Sequence, residues 1–359
     1  MRPKHQNSYQ NCSYQQIFKP SNVPTHARDA KMVVFLSKTQ VRSILSMAES
    51  IKAVEEAFRE FALGTATMPT RLSLSIPEKQ GWLGVMPAYL AHAGALATKI
   101  VTVYQENTMR HGIPNVLASV ILNDVETGRV QAIMEGSQIT AIRTGAVSGV
   151  ATKYLARTDV SRVGIFGAGV QARKQLQAVC EVRRIRSALV YDTIKESTEQ
   201  FIADSAKADM TVSAAHSPEE VLEESDIIVT ATTSKIPVFS GRHIKPGTHI
   251  NAIGAFTPDA REVDNETIST SKIVVDSIDA VLAEAGDIII PLKEGVIQRQ
   301  NIWAELGEIV SGKKAGRTSD EETTLFKSVG LGIQDAAVAM IVFKKAQSLG
   351  VGTQFDLEG

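Results

Sequence analysis

Residues 163–172 read VGIFGAGVQA: an apolar strand pattern stops at Gly167 and a helical pattern starts within three residues. Gly167, Gly169 and Ala172 stand in G-x-G-x-x-A spacing, which few backbones other than a strand–turn–helix can use. Gly167 permits the tight turn, Gly169 lets an anionic group approach the main chain, and Ala172 lets the helix pack close on the sheet. The helix must then begin at the C-terminal end of a strand, where its free N–H groups favour phosphate. Ala168, Val170 and Gln171 share that turn. Asp192 ends the next apolar strand, SALVYD, 20 residues beyond Ala172. A carboxylate there accepts hydrogen bonds from the hydroxyls of an adenosine ribose. The pattern predicts a dinucleotide site that favours NAD(H), because the 2′-phosphate of NADP(H) would meet a negative charge. Lys195, close by, leaves NADP(H) open as a second cofactor. A glycine turn in an α/β protein without a nucleotide is the plain alternative, and strand, helix and acid together weigh against it.

The flanking segments fit the same architecture. RVGIFGAG, SALVYD, MTVSAA, DIIVTAT, THINAIGA and KIVVDS read as strands, and VQARKQLQAVCEV, ESTEQFIADSA and SPEEVLEES as helices between them. Such alternation implies parallel strands and crossover helices, so a doubly wound Rossmann domain is expected over residues 146–325. Upstream, Ser46 and Glu49 form a capping-box pattern ahead of a helix that Gly64 ends. LSLSI turns through PEKQG into a hairpin, and NVLASVILN pairs with RVQAIME. Residues 32–145 therefore read as mostly antiparallel sheet plus a helix. The tail from Thr324, TLFKSVGLGIQDAAVAMIVFKKAQSLG, reads as one long helical pattern that packs back on the first part. The expected fold class is α/β, with the nucleotide-binding domain inserted into an α+β domain of residues 32–145 and 326–354. Residues 1–31, rich in Asn, Gln, Ser and Pro without a period, read as a disordered extension.

Composition excludes several partners. A formal charge of −1 over 359 residues gives no reason to expect nucleic acid or an anionic membrane. No run of 18 apolar residues suggests a membrane span, and the first 31 residues lack the apolar core of a signal peptide. The two cysteines, Cys12 and Cys180, lie far apart without metal-ligand spacing, so a reduced, cytoplasmic compartment is expected. The seven histidines show no metal-ligand pairing, and no metal is expected.

Three cations stand out. Lys99 lies in ALATKIVTV, and a lysine inside an apolar strand needs a partner or a purpose. Arg143 opens a helix of small residues just ahead of the nucleotide domain. Arg71 begins the first hairpin, where an exposed surface arginine is the ordinary expectation. Two or three cations converging on one carboxylate would fix a small acid by charge-assisted hydrogen bonds.

MPTR, MPAYL, TKIV, GIPN, ETGRVQAIMEGSQITAIRTGAVSGVATKYLAR, GIFGAGVQA and LFKSVGLGIQD together resemble the ornithine cyclodeaminase/mu-crystallin family, over nearly all of residues 32–352. That family includes archaeal-type alanine dehydrogenases and ketimine (Δ1-pyrroline-2-carboxylate) reductases. The resemblance implies a homodimer paired through the non-nucleotide domain, with a small amino or imino acid between the domains. It assigns the substrate carboxylate and the catalytic role to Arg71 and Lys99, and places Arg143 between cofactor and substrate. Thr144, Ala168, Gly169, Val170, Gln171, Asp192, Thr232 and Ser328 match cofactor-lining positions, as does Gly254 of the IGA segment, and Val329 matches one beside the substrate. Asn115 stands where a threonine near the cofactor is usual, and Ala260 where cyclodeaminases carry lysine.

The main departure follows IGA. Cyclodeaminases and archaeal alanine dehydrogenases place an aspartate there, whereas this chain has Phe256, which can neither transfer a proton nor accept from an ammonium group. Asp259 comes three residues late. The expected activity is thus NAD(P)-dependent reduction of an imine, or amino-acid dehydrogenation, at Cα. Ornithine cyclodeamination with catalytic NAD is the runner-up, and a mu-crystallin-like protein that binds NAD(P)H and a ligand without turnover is a third reading.

Overall fold

A computed structural model describes residues 32–205 and 209–357 and arranges them around two eight-stranded sheets. The extension expected over residues 1–31 lies outside the described residues.

The first sheet holds β1 (Met32–Leu36), β2 (Ala66–Thr67), β3 (Leu72–Ile76), β4 (Gly81–Leu90), β5 (Ala95–Tyr104), β6 (Val116–Asn123) and β7 (Val130–Glu135). Its long strands β4 to β7 pair antiparallel with their neighbours, and β1 joins β7 in parallel. Strand alternation gives the sheet two different faces. Ala97, Lys99 and Val101 of β5 are buried while Ile100 is exposed, and the register sets Lys99 between Met86 and Val120, both buried. The inner face packs on helices α1 (Met47–Leu63), α2 (Gly136–Leu155) and, near the C-terminus, Gly332–Leu349. In α1 both capping-box bonds form, and Gly64 closes the helix at φ 76°. Small residues let α2 run close to its neighbours. A Cβ on Gly145 would lie 2.6 Å from the Lys174 carbonyl, and one on Gly149 would lie 2.8 Å from the Ile51 side chain.

The second sheet holds β8 (Arg162–Phe166), β9 (Ser187–Tyr191), β10 (Thr211–Ala214), β11 (Ile227–Thr230), β12 (His249–Ala252), β13 (Lys272–Val275), β14 (Ile302–Glu305) and β15 (Thr324–Lys327). Every pair is parallel, in the order β10-β9-β8-β11-β12-β15-β13-β14. The strand order reverses between β8 and β11, which opens a crevice at their C-terminal ends. Helix α3 (Val170–Val182) follows β8; α4 (Ile278–Glu284) and α5 (Gly286–Lys293) follow β13; α6 (Gly332–Leu349) follows β15.

The tail corrects the sequence reading. Thr324–Lys327 is a fully buried strand between β12 and β13, and the helix starts only at Gly332. A four-residue run, TLFK, has no period that separates strand from helix, and Gly330, at φ 82°, breaks the chain between them. Beyond the helix, β16 (Thr353–Asp356) pairs antiparallel with β1.

Candidate active site

The crevice begins at the glycine turn. Gly167 has φ 96°, and a Cβ on it would lie 2.6 Å from the Ala231 carbonyl, so turn and packing both demand glycine. Gly169 caps α3 and is exposed, and a Cβ there would meet nothing within 4 Å. Exposed Val170 and half-buried Gln171 open the helix, while Ala172 is fully buried beneath it. A helix N-terminus with open approach and free first-turn N–H groups fits a pyrophosphate. Asp192, at the end of β9, accepts from the Ala168 N–H at 2.7 Å and the Ile194 N–H at 2.9 Å, which puts its carboxylate at the glycine turn.

The other walls of the crevice hang on one buried acid. Glu262 accepts from the Thr230 hydroxyl, from the N–H and hydroxyl of Thr232, and from the N–H groups of Gly254 and Ala255, at 2.6–3.2 Å. It thereby ties the segment after β11 to the segment after β12. A Cβ on Gly254 would lie 2.4 Å from both Glu262 and the Thr232 carbonyl. Asp287 accepts from the Glu262 and Val263 N–H groups, and Lys327 donates to Asp287 at 2.7 Å and to the Ala255 carbonyl at 2.6 Å. Burial and the Asp287 charge push the Glu262 carboxyl above its ordinary range. Thr144, buried in α2, accepts through its carbonyl from Gln175. Asn115 sits in the loop between β5 and β6, where its side chain accepts from Thr108 at 2.9 and 3.0 Å.

At the seam between the sheets the three cations meet. Lys99 donates to Asp335 Oδ2 at 2.7 Å, and Arg143 Nε donates to Asp335 Oδ1 at 3.0 Å, with Arg143 Nη1 on Gln334 at 2.7 Å. All four side chains are buried. Burial first, then the Arg143 charge, pulls the Lys99 ammonium down to about 7, against the pull of Asp335. Arg71 is 11% exposed rather than a surface residue: Nη2 donates to the Val329 and Gly330 carbonyls at 3.0 and 2.6 Å, and Nε pairs with Glu284 at 2.9 Å. Asp276, at the end of β13, accepts from the Ser328 hydroxyl and from the Val329 and Gly330 N–H groups at 2.7–2.8 Å. That turn seats Ser328 and Val329 beside the cations, and a Cβ on Gly330 would lie 2.5 Å from Arg143 Nη1.

Phe256, 42% exposed, follows the Glu262-bound segment. Asp259 does not join the cluster. It pairs with Lys235 at 3.6 Å, both side chains 69% exposed, and a hydrogen bond from Thr257 holds its carboxyl below the usual range. Sequence reasoning missed Glu262, Asp276, Glu284, Asp287, Lys327 and Asp335. Lys327 and Asp335 carry the signal that singled out Lys99, a charge inside an apolar run. Among the described residues no group of three or more His, Cys, Asp or Glu is placed to hold a metal, and no helix is long and apolar enough to cross a membrane.

A doubly wound parallel sheet with a glycine turn at its crevice, beside a buried cation cluster drawn from β5, α2 and the segment before β3, is a Rossmann-type nucleotide-binding architecture. The chain belongs to the ornithine cyclodeaminase/mu-crystallin family, whose model matches residues 31–350. It is 41% identical over 321 residues to the alanine dehydrogenase of Archaeoglobus fulgidus, across 89% of this chain and 97% of that one. The solved structure of Thermococcus litoralis Δ1-pyrroline-2-carboxylate reductase, in complex with NADH and L-proline, matches with a TM-score of 0.87 and 51% identity, over 89% of this chain and 99% of that one. An archaeal alanine dehydrogenase dimer with bound NAD matches with a TM-score of 0.86 and 40% identity, over 91% and 99%.

Proposed function

We propose that the protein is an NAD(H)-dependent oxidoreductase that reduces the Cα=N bond of a small α-imino acid, with Δ1-pyrroline-2-carboxylate as the leading substrate. The observation that carries this reading is the convergence of Arg71, Lys99 and Arg143 at the seam, with no carboxylate at position 256 and with Asp259 turned outward onto Lys235. NADH, when bound, supplies the hydride for Cα. The chain's own residues do the rest. Arg71 and Lys99 hold the substrate carboxylate, and Arg143 orients it toward the cofactor side, marked by Thr144, Ser328 and Val329. The glycine turn takes the pyrophosphate, Asp192 the ribose, and Thr232 and Gly254 the far wall. Asn115 keeps a supporting place at the cofactor, through the loop that its bonds to Thr108 hold. Phe256 packs an apolar ring against a cyclic substrate. Cyclodeamination of ornithine needs repeated proton transfers at the distal amine, and Phe256 supplies none. The 41% identity to an alanine dehydrogenase favours reductive amination of a 2-oxo acid as the second activity to assay.

In this reading residues 146–325 form the nucleotide-binding domain, extended by β15 to Lys327, and residues 32–145 with the C-terminal helix form the substrate domain. Two copies pair through the outer face of the first sheet. Leu72, Leu74, Ile100 and Leu117 lie exposed there, and the register lines up Leu72, Val85 and Ile100 in one row and Leu74, Leu83, Thr102 and Leu117 in the next. A contiguous apolar face of this kind marks an interface, and the dimeric archaeal neighbour supports the pairing. The test is turnover of the purified protein with Δ1-pyrroline-2-carboxylate, with pyruvate plus ammonia, and with ornithine. Proline from the imine alone supports the proposal, and proline from ornithine contradicts it.

A further inference from the structure

Reduction of an imine needs a proton for nitrogen as well as a hydride for carbon, and the cluster holds three carboxylates that differ in what binds them. Both oxygens of Asp335 are taken, by Lys99 and Arg143. Asp276 Oδ2 accepts from Ser328, Val329 and Gly330, and its Oδ1 from the Ser277 N–H. Glu284, at the end of α4, differs. Its Oε1 receives Arg71 Nε at 2.9 Å, while its buried Oε2 meets no donor among the described residues.

A buried carboxylate oxygen without a donor is costly as an anion and is relieved by a proton on that oxygen. Resting on the reductase reading above, we propose that Glu284 is the acid that protonates the imine nitrogen, the role a carboxylate at position 256 cannot fill here. Its neighbour Arg71 is the residue assigned to the substrate carboxylate. In an α-imino acid the nitrogen is bonded to the carbon that carries that carboxylate, so an acid beside Arg71 stands beside the nitrogen. As hydride reaches Cα, the Cα=N π pair moves to nitrogen, the Glu284 O–H bond breaks and an N–H bond forms. NADH leaves as NAD⁺, the imine becomes an amine, and the Glu284 carboxylate recovers its proton from water. Burial raises the Glu284 pKa, opposed by the Arg71 charge and helped by that of Asp276; Arg71 in turn feels the charges of Arg143, Asp335 and Lys99. The acid form is the active one, so kcat falls as pH rises through that pKa.

The test is Glu284→Gln, whose amide oxygen still accepts from Arg71. The expected result is a fall in kcat of about 100-fold or more, with substrate KM and NADH Kd within about threefold of wild type, and loss of the alkaline fall in kcat. Glu284→Asp, which keeps an acid one methylene shorter, should retain part of the rate with that fall displaced along the pH axis. If Glu284→Gln does not fold, the aspartate variant decides alone, and an undisplaced fall there overturns the proposal. So does a kcat kept by Glu284→Gln, which passes the proton to Lys99, or a loss confined to KM, which leaves Glu284 only orienting Arg71. Failure of the wild-type protein to reduce any imine would instead overturn the function on which this step rests.

Discussion

Asp192 holds the Ala168 N–H of the glycine turn, and the proposed function also gives it the adenosine ribose. Asp192→Asn removes the charge that repels a 2′-phosphate and weakens a charge-assisted bond. NADH affinity should therefore fall about tenfold relative to NADPH, measured as the ratio of dissociation constants; an unchanged ratio would contradict the assignment. Residues of this kind were legible because their spacing is local. Lys99 was legible for another reason, as a charge in an apolar strand. Its partner Asp335 carries the same mark in GIQDAAVAM but lies 236 residues away, so nothing local joins the two. Glu262 leaves no mark, because it stands in the polar segment PDAREVD, and only tertiary folding gives it its five donors; Glu284 carries the same mark as Lys99, a charge in the apolar run AVLAEAGDIII, but only tertiary folding gives it Arg71. Arg71 looked like a surface residue because the carbonyls of Val329 and Gly330, which bury it, arrive from the far end of the chain.

Helix α2 is the element on which both sheets lean, and its C-terminal end is held by a side chain from the next helix's end. Arg183 donates to the carbonyls of Thr152, Lys153 and Ala156 at the end of α2, where intrahelical donors run out, and to those of Arg157 and Val182; the Thr152 carbonyl also takes the Ala156 N–H. Arg183→Ala should cost about 2 kcal/mol of stability, seen as a lower Tm with NADH binding intact in the folded protein. An unchanged Tm would show that water replaces the guanidinium without loss. Elements with a clear period were readable in advance: α1 with its caps, the β3–β4 hairpin and the alternating strands and helices after residue 160. β15 was not, because TLFK is too short to show a period and runs into a helix. Its place between β12 and β13 is fixed by parallel pairing to both.

Across the whole molecule, cations from β5, α2 and the segment before β3 meet the carboxyl edge of the second sheet, and the outer face of the first sheet is left apolar. Pairing through that face predicts that Leu74→Lys, a charge at its centre, yields a monomer by light scattering while wild type is a dimer. A dimeric variant would move the interface elsewhere. In the proposed function this seam reduces an imine and does not cyclise a diamino acid. That reading is tested most directly by following NADH absorbance and proline together, with Δ1-pyrroline-2-carboxylate in one reaction and ornithine in the other. One NADH should be oxidised for each proline formed from the imine, with no proline from ornithine. Proline and ammonia released from ornithine with no net change in NADH would contradict it.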